Sequence, residues 1–64
     1  MRPLSLRQRE VCTMVALGLA TKEIAIRLSL SPRTIEQHLK RIFVKYRVKG
    51  VHRLAIKLYA EAAE

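Results

Sequence analysis

Arg33, Gln37 and Lys40 fall on one side of a segment whose other side carries Ile35, Leu39, Ile42 and Tyr46, if successive residues turn by about 100° as in an α-helix. Val44 shares the centre of the polar side, Glu36, Arg41 and Arg47 flank it, and Phe43 sits at the edge of the apolar one. Amide, ammonium and guanidinium groups displayed together suit a partner rich in acceptors and negative charge. Gln can bond adenine at N6 and N7, Lys can donate to guanine, and Glu can accept from cytosine N4. A helix laid in a DNA major groove would use the face in this way. A merely solvated face is the alternative, since most amphipathic helices have one.

Few other residues could do chemistry. Cys12 is the only cysteine, so neither an internal disulfide nor a cysteine zinc cluster can form. Its apolar neighbours mark it as a small core residue, consistent with a reducing compartment. His38 borders the apolar stripe and reads as a positioned partner, and His52 has no carboxylate or cysteine at ligand spacing. Tyr46 and Tyr59 lack the interleaved pattern of a single-strand stacking platform and read as core or interface residues. No nucleophile has a base at workable spacing, and no loop is built to cradle phosphate. The expectation is therefore no enzyme, no metal and no cofactor.

The composition agrees with a binding role. Thirteen Lys and Arg against five Asp and Glu give a net charge of +8 and a pI near 10.6, which suits nucleic acid or an acidic membrane surface. A chain of 64 residues makes one domain, residues 1–64, with room for a small core and little for a substrate cavity besides. Half the residues are hydrophobic, enough for that core without metal or disulfide. The longest apolar run, Met14 to Ala20, is broken by Gly18 and is too short to span a bilayer. Arg2 and Pro3 precede no apolar signal core. The expectation is a cytoplasmic protein without membrane contact.

The elements that must position the polar face carry their own punctuation. Ser5 with Gln8 forms a capping-box pattern ahead of a helix whose apolar stripe is Leu6, Val11, Met14 and Val15, with Gly18 as its stop. Thr21 reads as the cap of a short second helix with Ile24, Ala25 and Leu28 on one face. Ser31 and Pro32 start a third helix that runs to about Tyr46, since Pro favours the first helical position. Arg47 to Gly50 reads as a connector and Val51 to Ala62 as a fourth helix. No segment alternates with period two for long enough to argue a strand, so the fold class is all-α. Only Ser29, Leu30 and Ser31 separate the second and third helices, which must then cross steeply. Small Ala25 admits the third helix, Leu30 turns back to the core, and Ile35 packs between the two. Ser29 stands where Gly would be cheaper if the turn needs a positive φ. The expected architecture is a compact four-helix domain with a central helix-turn-helix at about residues 21–46.

The run Gly18-Leu19-Ala20-Thr21-Lys22-Glu23-Ile24-Ala25, then Leu28, then Ser31-Pro32-Arg33-Thr34-Ile35-Glu36-Gln37-His38, closely resembles the LuxR/GerE-type helix-turn-helix. Leu4-Ser5 with Arg7, Arg9, Glu10 and Val11 resembles the start of that domain, and Ile42, Lys45, Val48 and Arg53-Leu54-Ala55 resemble its end. Leu6, Ser29, Tyr46 and Lys49-Gly50-Val51 depart from its usual residues. The resemblance implies a bacterial transcription regulator, or the effector domain of a response regulator, that binds specific double-stranded DNA. Carried onto matching positions, it implies that Glu36, Gln37 and Lys40 read bases, the last two agreeing with the face analysis. Glu36 has a second reading, as a surface partner of Lys40 four residues on. For phosphate contact the implied residues are Thr21, Lys22, Ser31, Arg33, Thr34, Arg41 and Lys45, with Thr21, Ser31 and Thr34 also readable as structural, the first two as caps.

Val51, Leu54, Ala55, Leu58 and Ala62 give the fourth helix a core face, yet Ile56, Tyr59, Ala60 and Ala63 put apolar atoms on its other side. A terminal helix apolar on both faces usually has a partner, and the resemblance implies a homodimer on DNA through this helix, with weak or no association off DNA; a frayed, alanine-rich end of a monomer is the alternative. RNA polymerase is a further expected contact. Glu10 and Arg53 are placed to bridge the first and last helices. A helix-turn-helix turned to protein contact would also explain the fourth helix but not the basic face of the third. The start of the chain just ahead of the first helix signals fits a domain excised from a longer regulator, with a stand-alone protein as the alternative.

Overall fold

A computed structural model describes residues 4–62, folded into four helices: α1 (Leu6–Ala16), α2 (Thr21–Leu28), α3 (Pro32–Tyr46) and α4 (Val51–Ala62). The all-α architecture and the helix-turn-helix of α2 and α3 are as expected. Two of the three expected caps form. The Ser5 hydroxyl accepts from the Gln8 N–H at 3.2 Å while Gln8 Oε1 accepts from the Ser5 N–H at 3.2 Å. Ser31 Oγ accepts from the Thr34 N–H at 3.2 Å, with Pro32 at the first helical position.

The start of α2 differs from expectation. Thr21 is already inside the helix, and extended Ala20 holds the cap position. The residue responsible is Glu23, whose carboxylate accepts from the Ala20 N–H at 3.0 Å. A carboxylate three residues into a helix reaches back to the cap residue, and it satisfies that donor without any cap hydroxyl. Thr21 is thereby relieved of the capping role.

Three helices end alike, each on a left-handed residue that lets the next N–H reach back to a carbonyl in the last turn. Gly18 (φ 86) precedes Leu19, whose N–H donates to the Met14 carbonyl at 3.0 Å. Ser29 (φ 56) precedes Leu30, which donates to Ala25 at 2.9 Å, and Arg47 (φ 57) precedes Val48, which donates to Phe43 at 3.0 Å. The positive φ at Ser29 is the conformation for which Gly would be cheaper.

The core takes residues from all four helices: Val11, Cys12 and Val15, Ile24 and Ala25, Ile35, Leu39 and Ile42, and Leu54. Leu4, Leu28, Leu30, Phe43, Tyr46, Val48, Ala55 and Leu58 are among the half-buried side chains packed around it. Three expected core residues lie outside. Leu6 is 75% exposed, because at about 100° per residue it stands roughly 140° around α1 from Val11. Cys12 takes up the core side instead. Val51 and Ala62 are exposed at the two ends of α4, which outruns so small a core. The bridge expected between Glu10 and Arg53 does not form. Glu10 faces Arg7 at 3.6 Å, a partner three residues back on its own helix.

Candidate nucleic-acid interface

The turn at Ser29 to Ser31 sets the direction in which α3 leaves the core. Ala25 is buried against α3, and its carbonyl receives the Leu30 N–H, so the side chain that permits close approach sits beside the backbone that closes the turn. Ile35, Leu39 and Ile42 then fix the rotation of α3 about its own axis, with Ile35 and Ile42 fully buried. The opposite face is left to solvent. Arg33, Glu36, Gln37 and Lys40 are all exposed and together line one open recess.

No ion pair joins Glu36 to Lys40, whereas on α1 Arg7 and Glu10 do pair. The amide of Gln37, the ammonium of Lys40, the guanidinium of Arg33 and the carboxylate of Glu36 thus share one surface with their hydrogen-bonding groups turned outward. Arg41 extends the exposed face, while Lys45 is half-buried.

The hydroxyl residues divide into two kinds. Ser31 and Thr34 engage each other, with their hydroxyl oxygens 3.0 Å apart and the Thr34 N–H on Ser31 Oγ. Both serve the helix start, and Ser31 remains exposed there. Thr21 has no cap to make, and it lies with exposed Lys22 in the first turn of α2. The N–H groups of that turn and the lysine ammonium attract an anion, although the Glu23 carboxylate already takes the Ala20 N–H there.

On α4 the residues expected at an interface are exposed: Ile56 is 51% and Tyr59 61% accessible, and Ala60 is exposed as well. Ala63 lies outside the described residues. Tyr59 has an additional role that spacing could not show. Its hydroxyl donates to the carbonyl of Ala16 at the end of α1, fastening α4 to α1 across a shallow groove lined by Thr13, Leu17 and Leu58. A second polar contact lies near the end of α4. Burial, then the Glu61 carboxylate, then Cys12 push the Tyr46 phenol above its ordinary value, and burial followed by Glu61 does the same to the Cys12 thiol. Tyr46 and Glu61 are fifteen residues apart on different helices, so no helical spacing links them.

Among the described residues no helix is long and apolar enough to cross a membrane, and no cluster of His, Cys, Asp and Glu is placed to hold a metal.

A family model described as bacterial regulatory proteins of the luxR family matches residues 2–58. Among curated proteins, the transcriptional regulatory protein UhpA of Escherichia coli (strain K12) is 39% identical over 57 residues, covering 89% of this chain and 29% of that protein. The transcriptional regulatory protein FixJ of Rhizobium meliloti (strain 1021) is 39% identical over 54 residues, covering 84% of this chain and 26% of that protein. The chain spans less than a third of the length of either relative.

Proposed function

The chain belongs to the luxR family of bacterial regulatory proteins, and from that premise we propose that it binds specific double-stranded DNA in transcription regulation, with α3 in the major groove. One observation carries the reading. The exposed recess of Arg33, Glu36, Gln37 and Lys40 lies opposite the buried Ile35, Leu39 and Ile42, so packing aims the hydrogen-bonding face outward. Gln37 and Lys40 stand at the centre of that face as base readers, with Glu36 beside them. Lys22, Arg33, Arg41 and Lys45 supply phosphate contacts, joined by Thr21 and, from the start of α3, by Ser31 and Thr34. The domain covers residues 1–64 and acts where chromosomal DNA lies, in the cytoplasm. It forms a homodimer on DNA through Ile56, Tyr59, Ala60 and Ala63, and contact with RNA polymerase follows from the regulatory role.

Selection of bound duplexes from a random pool tests the reading. A palindromic product is expected, because a two-fold dimer reads two matching half-sites. With about four phosphates neutralised per subunit by these lysines and arginines, log affinity falls against log salt with a slope of about −0.9 per contact. Gln37→Ala or Lys40→Ala relaxes base preference, whereas Lys22→Ala weakens all duplexes alike. Recovery of no duplex at low salt, or a change of base preference in Lys22→Ala, counts against the assignment.

A further inference from the structure

The centre of the reading face holds one residue that neither a salt-bridged surface nor a core explains. Val44 is 79% exposed, the highest value among the large hydrophobic side chains of the described residues. Seven helical steps of about 100° return it to within roughly 20° of Gln37, and the rise over those steps is about 10.5 Å. It therefore continues the row of Arg33, Gln37 and Lys40 by one further turn, on the side of α3 farthest from Ile35, Leu39 and Ile42. Its helical neighbours one turn earlier, Lys40 and Arg41, are exposed cations, and exposed Arg47 follows just past the end of α3. Helix propensity does not favour a β-branched residue here, since Val is poorer than Lys, Arg or Ala in an exposed helical position.

An apolar side chain flanked by cations fits a surface that is polyanionic around an apolar group. The DNA major groove offers that combination at one base, thymine, whose C5 methyl projects into the groove between two rows of phosphate. Residues spaced 0, 3, 4 and 7 along a helix can reach base edges together in a groove about 12 Å wide. Gln37, Lys40, Arg41 and Val44 have that spacing. We propose that Val44 is a specificity-determining residue that recognises a thymine in each half-site by packing its methyl groups against the thymine C5 methyl. The proposal rests on the assignment of α3 to the major groove and adds a base preference that Gln37 and Lys40 do not supply.

The test starts from the duplex that the unaltered protein selects from a random pool. Each thymine of the half-site is replaced in turn by deoxyuridine, which removes the methyl and leaves every hydrogen-bonding group in place. Binding of the unaltered protein and of Val44→Ala is then measured on each duplex by fluorescence anisotropy. At one thymine per half-site, loss of the methyl is expected to weaken the unaltered protein by about fourfold, the equivalent of one buried methyl group. Val44→Ala is expected to bind the thymine and deoxyuridine duplexes equally. Ala is the better helix former, and circular dichroism checks that the variant is folded. Val44→Thr keeps one methyl and is expected to retain part of the discrimination. The proposal is overturned if no thymine distinguishes the two proteins, or if Val44→Ala weakens both duplexes by the same factor, as a contact to sugar or to another protein would. A protein that selects no duplex at all loses the major-groove assignment itself, an outcome separate from selective binding that ignores the methyl.

Discussion

α3 and α4 are similar in length, 15 and 12 residues, yet α3 buries Ile35, Leu39 and Ile42 while α4 buries Leu54 alone. α3 has a hydroxyl cap, a proline at its first position and a left-handed stop at Arg47. α4 adds polar links near its far end, the Tyr59 hydroxyl on the Ala16 carbonyl and Glu61 beside Tyr46. The helix that presents the hydrogen-bonding face is thus set by three buried side chains along its length, and the terminal helix by Leu54 with half-buried Ala55 and Leu58, its last turns relying more on polar contacts that water can replace. A reading surface needs fixed geometry, whereas a surface that pairs only on DNA does not. The contrast matches the roles proposed for the two helices.

The most severe way to break this contrast is to empty the packing under α3. Ile42→Ala removes a fully buried side chain, and such deletions cost about 2–5 kcal/mol. A domain of this size has little stability beyond that, so urea titration followed by circular dichroism should find the variant largely unfolded. Native-state hydrogen exchange sharpens the comparison in the intact protein. Amides in the last turns of α4 are expected to exchange at a lower opening free energy than those of α3 around Leu39. Equal protection in the two helices would remove the distinction.

A smaller effect, of opposite sign, is expected at the turns. Ser29 and Arg47 hold left-handed backbone that costs an L-residue about 1 kcal/mol or more. After allowing for the greater unfolded-chain entropy of Gly, Ser29→Gly should raise stability by about 0.5–1 kcal/mol. Arg47→Gly should gain a similar amount at the end of α3. A loss at either site, read from thermal melting, would show that its side chain makes a contact worth more than the strain.

These positions also separate what the sequence makes legible from what only the packed fold decides. The four helices, the joint at residues 29–31 and the exposed face of α3 follow from local signals: cap residues, prolines, glycines and apolar spacing within one helix. The errors arose where a local signal had a competitor. Thr21 reads as a cap until Glu23 is credited with reaching back to Ala20, a bond that needs only three residues and could have been weighed. Leu6 joins the stripe of α1 only if its angle from Val11 is ignored. The links of Tyr59 to Ala16 and of Glu61 to Tyr46 join different helices, and their partners become neighbours only when α4 docks. For the same reason Glu10 and Arg53 could be paired on paper while Arg7 was nearer. On the candidate interface, the hydrogen-bonding residues were visible as a pattern. Val44 was visible too, but its meaning depended on its exposure.

Losing the link between Tyr59 and Ala16 has a modest expected cost. Tyr59→Phe deletes one hydrogen bond at an exposed site, where water can satisfy the carbonyl, so the loss should be about 0.5 kcal/mol. Its signature is local: exchange in α4 quickens while that around Leu39 does not. Uniform acceleration through all four helices would mean that α4 is as integral to the fold as α3.

The smallest expected effect is alkaline and probes the other end of the same attachment. Cys12 and Tyr46 both titrate above their ordinary values of 9.0 and 10.0, mainly through burial and further through Glu61. A raised value means that the folded chain holds these protons more tightly than the unfolded chain does. Their contribution is therefore complete below the unfolded values and falls as pH rises past 9.0 for Cys12 and 10.0 for Tyr46. Lysines also titrate in this range and relieve repulsion in a chain of charge +8, so the fall must be read against a variant. Glu61→Gln removes the carboxylate common to both groups while leaving every lysine in place. Its melting temperature should decline less between pH 8 and 11 than that of the unaltered protein, and Tyr46→Phe should shift the curve the same way above pH 10. Superimposable pH profiles for all three proteins would show that Glu61 does not sense these groups, leaving Tyr59 as the polar fastening of α4.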